Sequence, residues 1–178
     1  MNGVAIRVAT DGDLPAMREL MRRSIDELQR AFLSADAVRA SHAVMGLDTQ
    51  LVTDGTYFVA TIDGTLAGCG GWSRRATLYG GDHSHDLREP RLLDPAIEAA
   101  RVRAMYTDPG FARRGVGGAI LHAAETAARA AGFAAAELMA TLSGEPLYRA
   151  RGYVAVERTA ANVDGIAVPL VRMRKAIG

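Results

Sequence analysis

The sequence predicts an α/β protein, one mixed sheet of about seven strands flanked by helices, and three observations carry that expectation. Short runs rich in β-branched and aromatic residues alternate with stretches whose apolar residues recur at helical spacing. Asp63-Gly64 joins two of the strand-like runs with the composition of a tight hairpin turn. A glycine-rich turn, Arg113-Arg114-Gly115-Val116-Gly117-Gly118, stands where a third such run gives way to an amphipathic helix.

Taken in order, Val4 to Val8 reads as a first strand, and Thr10-Asp11-Gly12-Asp13 offers a helix N-cap with Pro15 in the first turn. Leu14, Met17, Met21, Ile25, Leu28 and Phe32 then recur on one helical face, with arginines and Asp26 on the others. Ser34-Ala35-Asp36 opens a second helix that ends near Gly46, and a short third piece spans Asp48 to Val52. Thr56 to Ile62 and Leu66 to Trp72 are the two arms of the hairpin.

Periodicity fails from Ser73 to Glu98, a polar, turn-rich stretch containing Asp82, His83, His85 and Asp86. A loop of that length inside a compact domain is either functional or disordered. Its imidazoles and carboxylates suit a metal in type, but no spaced partner ligands occur elsewhere, so no metal is expected.

Ala100 to Thr107 is the next strand, stopped by Asp108-Pro109-Gly110. The helix after the glycine turn is expected to bury Val116, Ile120, Ala123, Ala127 and Ala131, to leave His122, Glu125 and Arg129 in water, and to end at Gly132. Ala134 to Thr141 is a strand, Pro146 to Arg151 a short helix stopped by Gly152, and Tyr153 to Arg158 a strand. Ile166 to Arg174 closes the chain, with Pro169 pointing to an edge position or a bulge. There is no internal repeat or linker, and residues 1–178 read as a single domain.

Composition narrows the class further. With 21 basic and 20 acidic residues the charges nearly cancel, which argues against nucleic acid or acidic membrane as the main partner. The single cysteine, Cys69, excludes a disulfide framework, and its apolar neighbours make it a buried structural residue. No apolar run approaches the roughly 20 residues of a membrane span, and a soluble, cytoplasmic protein is expected.

The glycine turn carries the chemistry. Gly115, Gly117 and Gly118 let the backbone turn tightly and approach a ligand, so that the unpaired amides of the helix N-terminus can face phosphate oxygens. Arg113 and Arg114 add positive charge there. A Walker loop is excluded because Ala119 and Ile120, not a Lys-Ser or Lys-Thr pair, follow Gly118. A dinucleotide fingerprint is excluded because Ile120 occupies its third small position.

Two motifs then give a resemblance. Met105-Tyr106-Thr107-Asp108-Pro109 leading into Ala112-Arg113-Arg114-Gly115-Val116-Gly117, together with Pro146-Leu147-Tyr148-Arg149-Ala150-Arg151-Gly152-Tyr153, resembles the GNAT superfamily of N-acetyltransferases over nearly the whole chain. The resemblance implies that Ala112 to Gly117, with Gly118, hold the pyrophosphate of acetyl-CoA. It implies that the fourth strand splays from the fifth and that Met105, Tyr106 and Thr107 pair through their backbones with the pantetheine arm. It also implies that Tyr148 protonates the departing thiolate, with Tyr153 a core aromatic.

Two departures stand out. Ala112 replaces a frequent Gln or Arg, and Thr141-Leu142-Ser143 replaces a frequent asparagine, for which Thr141 can supply the hydrogen bond. The implied activity is direct acetyl transfer from acetyl-CoA to a primary amine, on a small molecule or a peptide N-terminus, by a monomer or homodimer. The alternative is a catalytically weak CoA-binding regulatory or partner-binding domain. Glu137 on the fifth strand is the first candidate for the base, His83 and Asp82 the second. The acceptor pocket is expected between Ser24 to Gly46 and Arg74 to Glu98.

Overall fold

The structure, a computed structural model, describes residues 3–178. Its strands are β1 (Ala5–Val8), β2 (Tyr57–Ile62), β3 (Thr65–Ser73), β4 (Ala100–Thr107), β5 (Ala135–Ala140), β6 (Val154–Val163) and β7 (Ile166–Ala176). Its helices are α1 (Leu14–Leu28), α2 (Ala35–Val44), α3 (Thr49–Thr53), α4 (Val116–Ala130) and α5 (Glu145–Ala150). The strands form one sheet in the order β1-β2-β3-β4-β5-β7-β6, antiparallel throughout except where β4 pairs with β5. The expected mixed sheet of seven strands is the observed one.

Alternation along β3 explains how both faces are covered. Cys69 points into a core with Met17, Leu20 and Ile25 of α1 and with Tyr57, Val59 and Tyr106. Its neighbours Gly68 and Gly70 face the other way, where α4 lies, and a Cβ at Gly68 would stand 2.5 Å from Val116. Helix α4 also packs with Trp72, Phe133, Leu138, Tyr153 and Met173. Each large aliphatic side chain buried this way contributes about 1.5–3 kcal/mol.

The long helix departs from the expected pattern. Its buried positions are Val116, Gly118, Ile120, Leu121, Ala124, Glu125 and Ala128, whereas Ala123 and Ala127 are half-buried and Ala131 is exposed. Glu125, expected in water, lies inside because Lys175 of β7 reaches its carboxylate at 3.0 Å. A buried carboxylate with its cation is tolerated where a bare one is not. At α1 the helix stops at Leu28, so Phe32 sits in the following turn, 48% exposed, rather than on the core face.

Residues 154–176 form a longer hairpin than the sequence suggested. Its turn is Asp164-Gly165, with φ of 50° and 85°, matching Asp63-Gly64 at 51° and 78°. Both are two-residue turns of the kind Asp-Gly favours. Strand β7 is interior, yet Pro169 pairs only with Ala160 of β6, because pairing with β5 begins at Val171. The ring therefore removes no donor from the β5 ladder.

The loop at residues 73–98 is ordered. It folds back on itself through Ala76 N–H to Arg91 O, Thr77 N–H to Glu89 O and Leu93 N–H to Arg74 O. Arg103 of β4, 3% exposed, fixes it from below by donating to Thr77 O and Gly80 O, with Asp48 balancing its charge at 3.1 Å.

Candidate active site

Strands β4 and β5 pair at only two positions, Ala100 with Ala136 and Arg101 with Glu137, and then part. A bulge in β4 accompanies the parting. The register against β3 jumps between Cys69 and Gly71, and Ala104 adopts a φ of 50°. An extra residue bends and re-aims a strand in this way. Tyr57 holds the bulge by donating to Ala104 O at 2.8 Å, and Gly70 leaves room for Met105, whose sulfur would lie 2.2 Å from a Cβ there. The expected splay is therefore present, with a local cause.

A cavity of about 680 Å³ opens along the parted strands. Met105, Tyr106 and Thr107 of β4 form one side, and Thr141, Leu147 and Tyr148 the other. Ala112, Arg113, Gly115, Val116, Gly117 and Gly118 line it as well. Eleven of the thirteen residues predicted from sequence thus share one cavity, counting Met105 to Thr107, Ala112, Arg113, Gly115 to Gly118, Thr141 and Tyr148. The two others, Arg114 and Glu137, do not line it.

The glycine turn has the shape of an anion cradle. Asp108 caps a short turn by accepting from Gly110 N–H at 2.8 Å. Arg113 and Gly115 then both take left-handed backbone, φ 60° and 83°. The first helical bond of α4 is donated by Ala119 to Gly115 O, so the amides of Val116, Gly117 and Gly118 lie in the first turn before any intrahelical donor. Such successive amides form a concavity for anions. Arg114 instead packs over Phe111, 5.2 Å from the ring centre.

Sequence reasoning missed Arg151. It directly follows α5, lines the cavity, and lies so close to Gly118 that a Cβ there would stand 2.2 Å from its guanidinium. Its place one turn after Tyr148 was the available signal.

Tyr148 is 7% exposed and packs edge-on against Tyr153, ring centres 5.9 Å apart. Burial pushes its phenol above the ordinary range, so it stays protonated at neutral pH. Thr141 positions the helix that carries it, accepting from Gly144 N–H at 3.3 Å. A second cavity of about 70 Å³ also touches Tyr148, sharing Met45, Met105, Tyr106 and Thr141 with the first. Val44, Tyr79, Gly80, Arg103 and Met139 help to close it. Val44 and Met45 from the end of α2 and Leu78, Tyr79 and Gly80 from the 73–98 loop close it over β4, β5 and β7.

Glu137 lies elsewhere. It occupies the last position at which β4 and β5 still pair, buried among Arg172 at 2.5 Å, Arg174 at 3.3 Å and Arg101 at 3.7 Å. A carboxylate so neutralised ties three strands together. Replacing it with glutamine is expected to cost about 1–3 kcal/mol, lowering the melting temperature by about 2–4 °C for each kcal/mol, with turnover of the remaining folded protein unchanged. Melting curves beside steady-state rates check this, and a large loss of rate without a loss of stability would return Glu137 to catalysis.

The remaining nucleophile and loop candidates are also engaged. Cys69 is buried and its thiol is pushed up to about 12 by desolvation, which keeps it protonated and a poor nucleophile. His83 donates from Nε2 to Ala43 O at 3.2 Å, capping the end of α2. Asp82 accepts from Thr49 N–H and Oγ1 at 3.0 and 3.1 Å. Among the described residues no group of three or more His, Cys, Asp or Glu is placed to hold a metal, and no helix is long and apolar enough to cross a membrane.

The fold agrees with known proteins. A family model described as an acetyltransferase (GNAT) domain matches residues 53–155, and the chain belongs to that family. No curated protein matches. Among solved structures, a GCN5-related N-acetyltransferase from Rhodopseudomonas palustris aligns with a TM-score of 0.71 at 20% identity, covering 99% of this chain and 97% of its own. PaiA N-acetyltransferase from Thermoplasma acidophilum, solved with coenzyme A, gives 0.62 at 15% identity, covering 98% and 99%. YncA, a putative acetyltransferase from Salmonella typhimurium solved with acetyl-CoA, gives 0.64 at 16%, covering 99% and 95%. At these identities the structural likeness speaks for the fold.

Proposed function

We propose that the chain moves an acetyl group from acetyl-CoA to a primary amine by direct attack, with Tyr148 as the acid. The observation that carries this reading is the position of Tyr148, on the wall of both cavities, where the larger one holds the cradle and the smaller one does not. Acetyl-CoA would lie in the larger cavity. Its pyrophosphate would face the amides of Val116 to Gly118 with Arg113 and Arg151 nearby, and its pantetheine arm would run along Met105 to Thr107. That PaiA and YncA were solved with coenzyme A and acetyl-CoA supports the assignment.

The amine would enter through the smaller cavity and meet the thioester beside Met105 and Tyr148. Its nitrogen lone pair attacks the carbonyl carbon, the C–N bond forms, and the C–S bond breaks with its electron pair leaving on sulfur. Tyr148 gives that sulfur a proton. The proton shed by the acylated nitrogen then returns to the phenolate, directly or through water, so that amide and free thiol are the only products. No acyl-enzyme is needed, in keeping with the protonated, buried Cys69.

Thermal unfolding with acetyl-CoA, CoA, NAD and ATP tests the donor. At about a hundredfold excess over the dissociation constant, acetyl-CoA and CoA should add roughly 2.7 kcal/mol to stability, and NAD none, after which thiol release is followed with amines present. No shift with acetyl-CoA at millimolar concentration would overturn the assignment.

A further inference from the structure

We propose that the acceptor reaches this site already as its neutral free base, which matches the enzyme to weakly basic primary amines. The proposal rests on the acetyl-transfer reading and narrows its substrate class.

The walls of both cavities carry the observation. Among the described residues that line them there is no aspartate, glutamate or histidine. The charged groups present are all cations, Arg103 in the smaller cavity and Arg113 and Arg151 in the larger. Two further lining groups, Cys69 and Tyr106, are held protonated by burial. Tyr106 is also spent on Gly46, accepting from its N–H and donating to its carbonyl at 3.0 Å each. Tyr148 is needed as the acid, and Tyr79 adds a phenol but no carboxylate or imidazole to the wall.

On the surrounding elements Glu27 of α1, His85 and Asp86 of the loop and His122 of α4 line neither cavity, and the other acids and imidazoles nearest the site are committed elsewhere. On α1 and α2, Asp26 and His42 hold each other at 2.7 Å, with Arg22 also on Asp26. Asp48 lies between Arg103 and Arg88. In the loop Asp82 serves Thr49 and His83 serves Ala43. Asp108 is paired with Arg23, Glu125 with Lys175, Glu137 with three arginines, and Glu145 with Arg149 and Arg158.

An ammonium arriving in the smaller cavity would therefore find no carboxylate on the wall to pair with it or receive its proton, and Arg103, already paired with Asp48, offers it nothing. A cation taken out of water with no partner carries a large desolvation cost. A neutral amine meets no such barrier and already has its lone pair free. The proton it must lose appears only after C–N bond formation, when the acylated nitrogen is acidic enough to surrender it without a dedicated base.

The test uses ethylamine and its 2-fluoro, 2,2-difluoro and 2,2,2-trifluoro derivatives, similar in size and falling stepwise in basicity, with saturating acetyl-CoA and thiol release as readout from about pH 6 to about pH 10. The logarithm of kcat/KM should climb with unit slope, about tenfold per pH unit, and level off at the acceptor's own pKa, so that the inflection moves along the series. An inflection fixed at one pH for every amine would show that a group on the protein takes the proton, and would overturn the proposal. So would the lack of thiol release near pH 9.5 from any of the four, with acetyl-CoA still stabilising the fold. Loss of that stabilisation is a separate result and would remove the transferase reading itself.

Discussion

Replacing Tyr148 with phenylalanine is expected to slow acetyl transfer by about 10²- to 10⁴-fold, the range a positioned acid supplies, while acetyl-CoA binds as before. The ring stays against Tyr153, so packing is kept and only the hydroxyl is lost. Because burial holds the phenol above its ordinary range, it is in the donating form throughout the neutral and mildly alkaline range. No rate is lost there through its ionisation. Steady-state thiol release and calorimetric titration with CoA check both halves, and an unchanged rate would remove Tyr148 from the mechanism.

Gly117→Val is expected to weaken acetyl-CoA binding on the order of 10²-fold, and to abolish most of the ligand-induced rise in melting temperature. A Cβ at Gly117 would stand 2.8 Å from Leu147, and the branched side chain adds two more carbons beside it. Either the Leu147 side chain gives way, filling the cavity it lines, or the first turn of α4 has to move. Movement of the turn misaims amides whose charge-assisted bonds to phosphate are worth roughly 1.5–3 kcal/mol each. Gly115→Ala is the control for the cradle's backbone, since φ of 83° is strained for alanine although its Cβ meets nothing. Wild-type affinity in Gly117→Val would show that the phosphates lie elsewhere.

Much of this site was legible because it is written in backbone. Glycines at the start of a helix specify where amides are left unpaired, and that information is local in sequence. The hairpin at Asp63-Gly64 was legible for the same reason, and the matching Asp164-Gly165 turn carried the same signal without being used. What was not legible depends on partners distant along the chain. Glu125 reads as a wet residue until Lys175, fifty positions on, is brought beside it. Glu137 reads as a base until three arginines from two neighbouring strands close around it. The bulge at Ala104, which parts the strands, leaves no mark in a run that otherwise alternates as a strand should.

Helix α1 touches both the larger cavity and the turn into the cradle. Its Ile25 and Leu28 wall the larger cavity, and its Arg23 is clamped to Asp108, the residue that starts the turn into the cradle. A molecule that occupied both cavities at once, coenzyme A joined to an amine through a short acyl bridge, would have its second half held at the high local concentration that a tether creates. Such a conjugate would measure how the two chambers are spaced. On the proposed reaction, the bridge length giving tightest binding would report the span between thioester and amine.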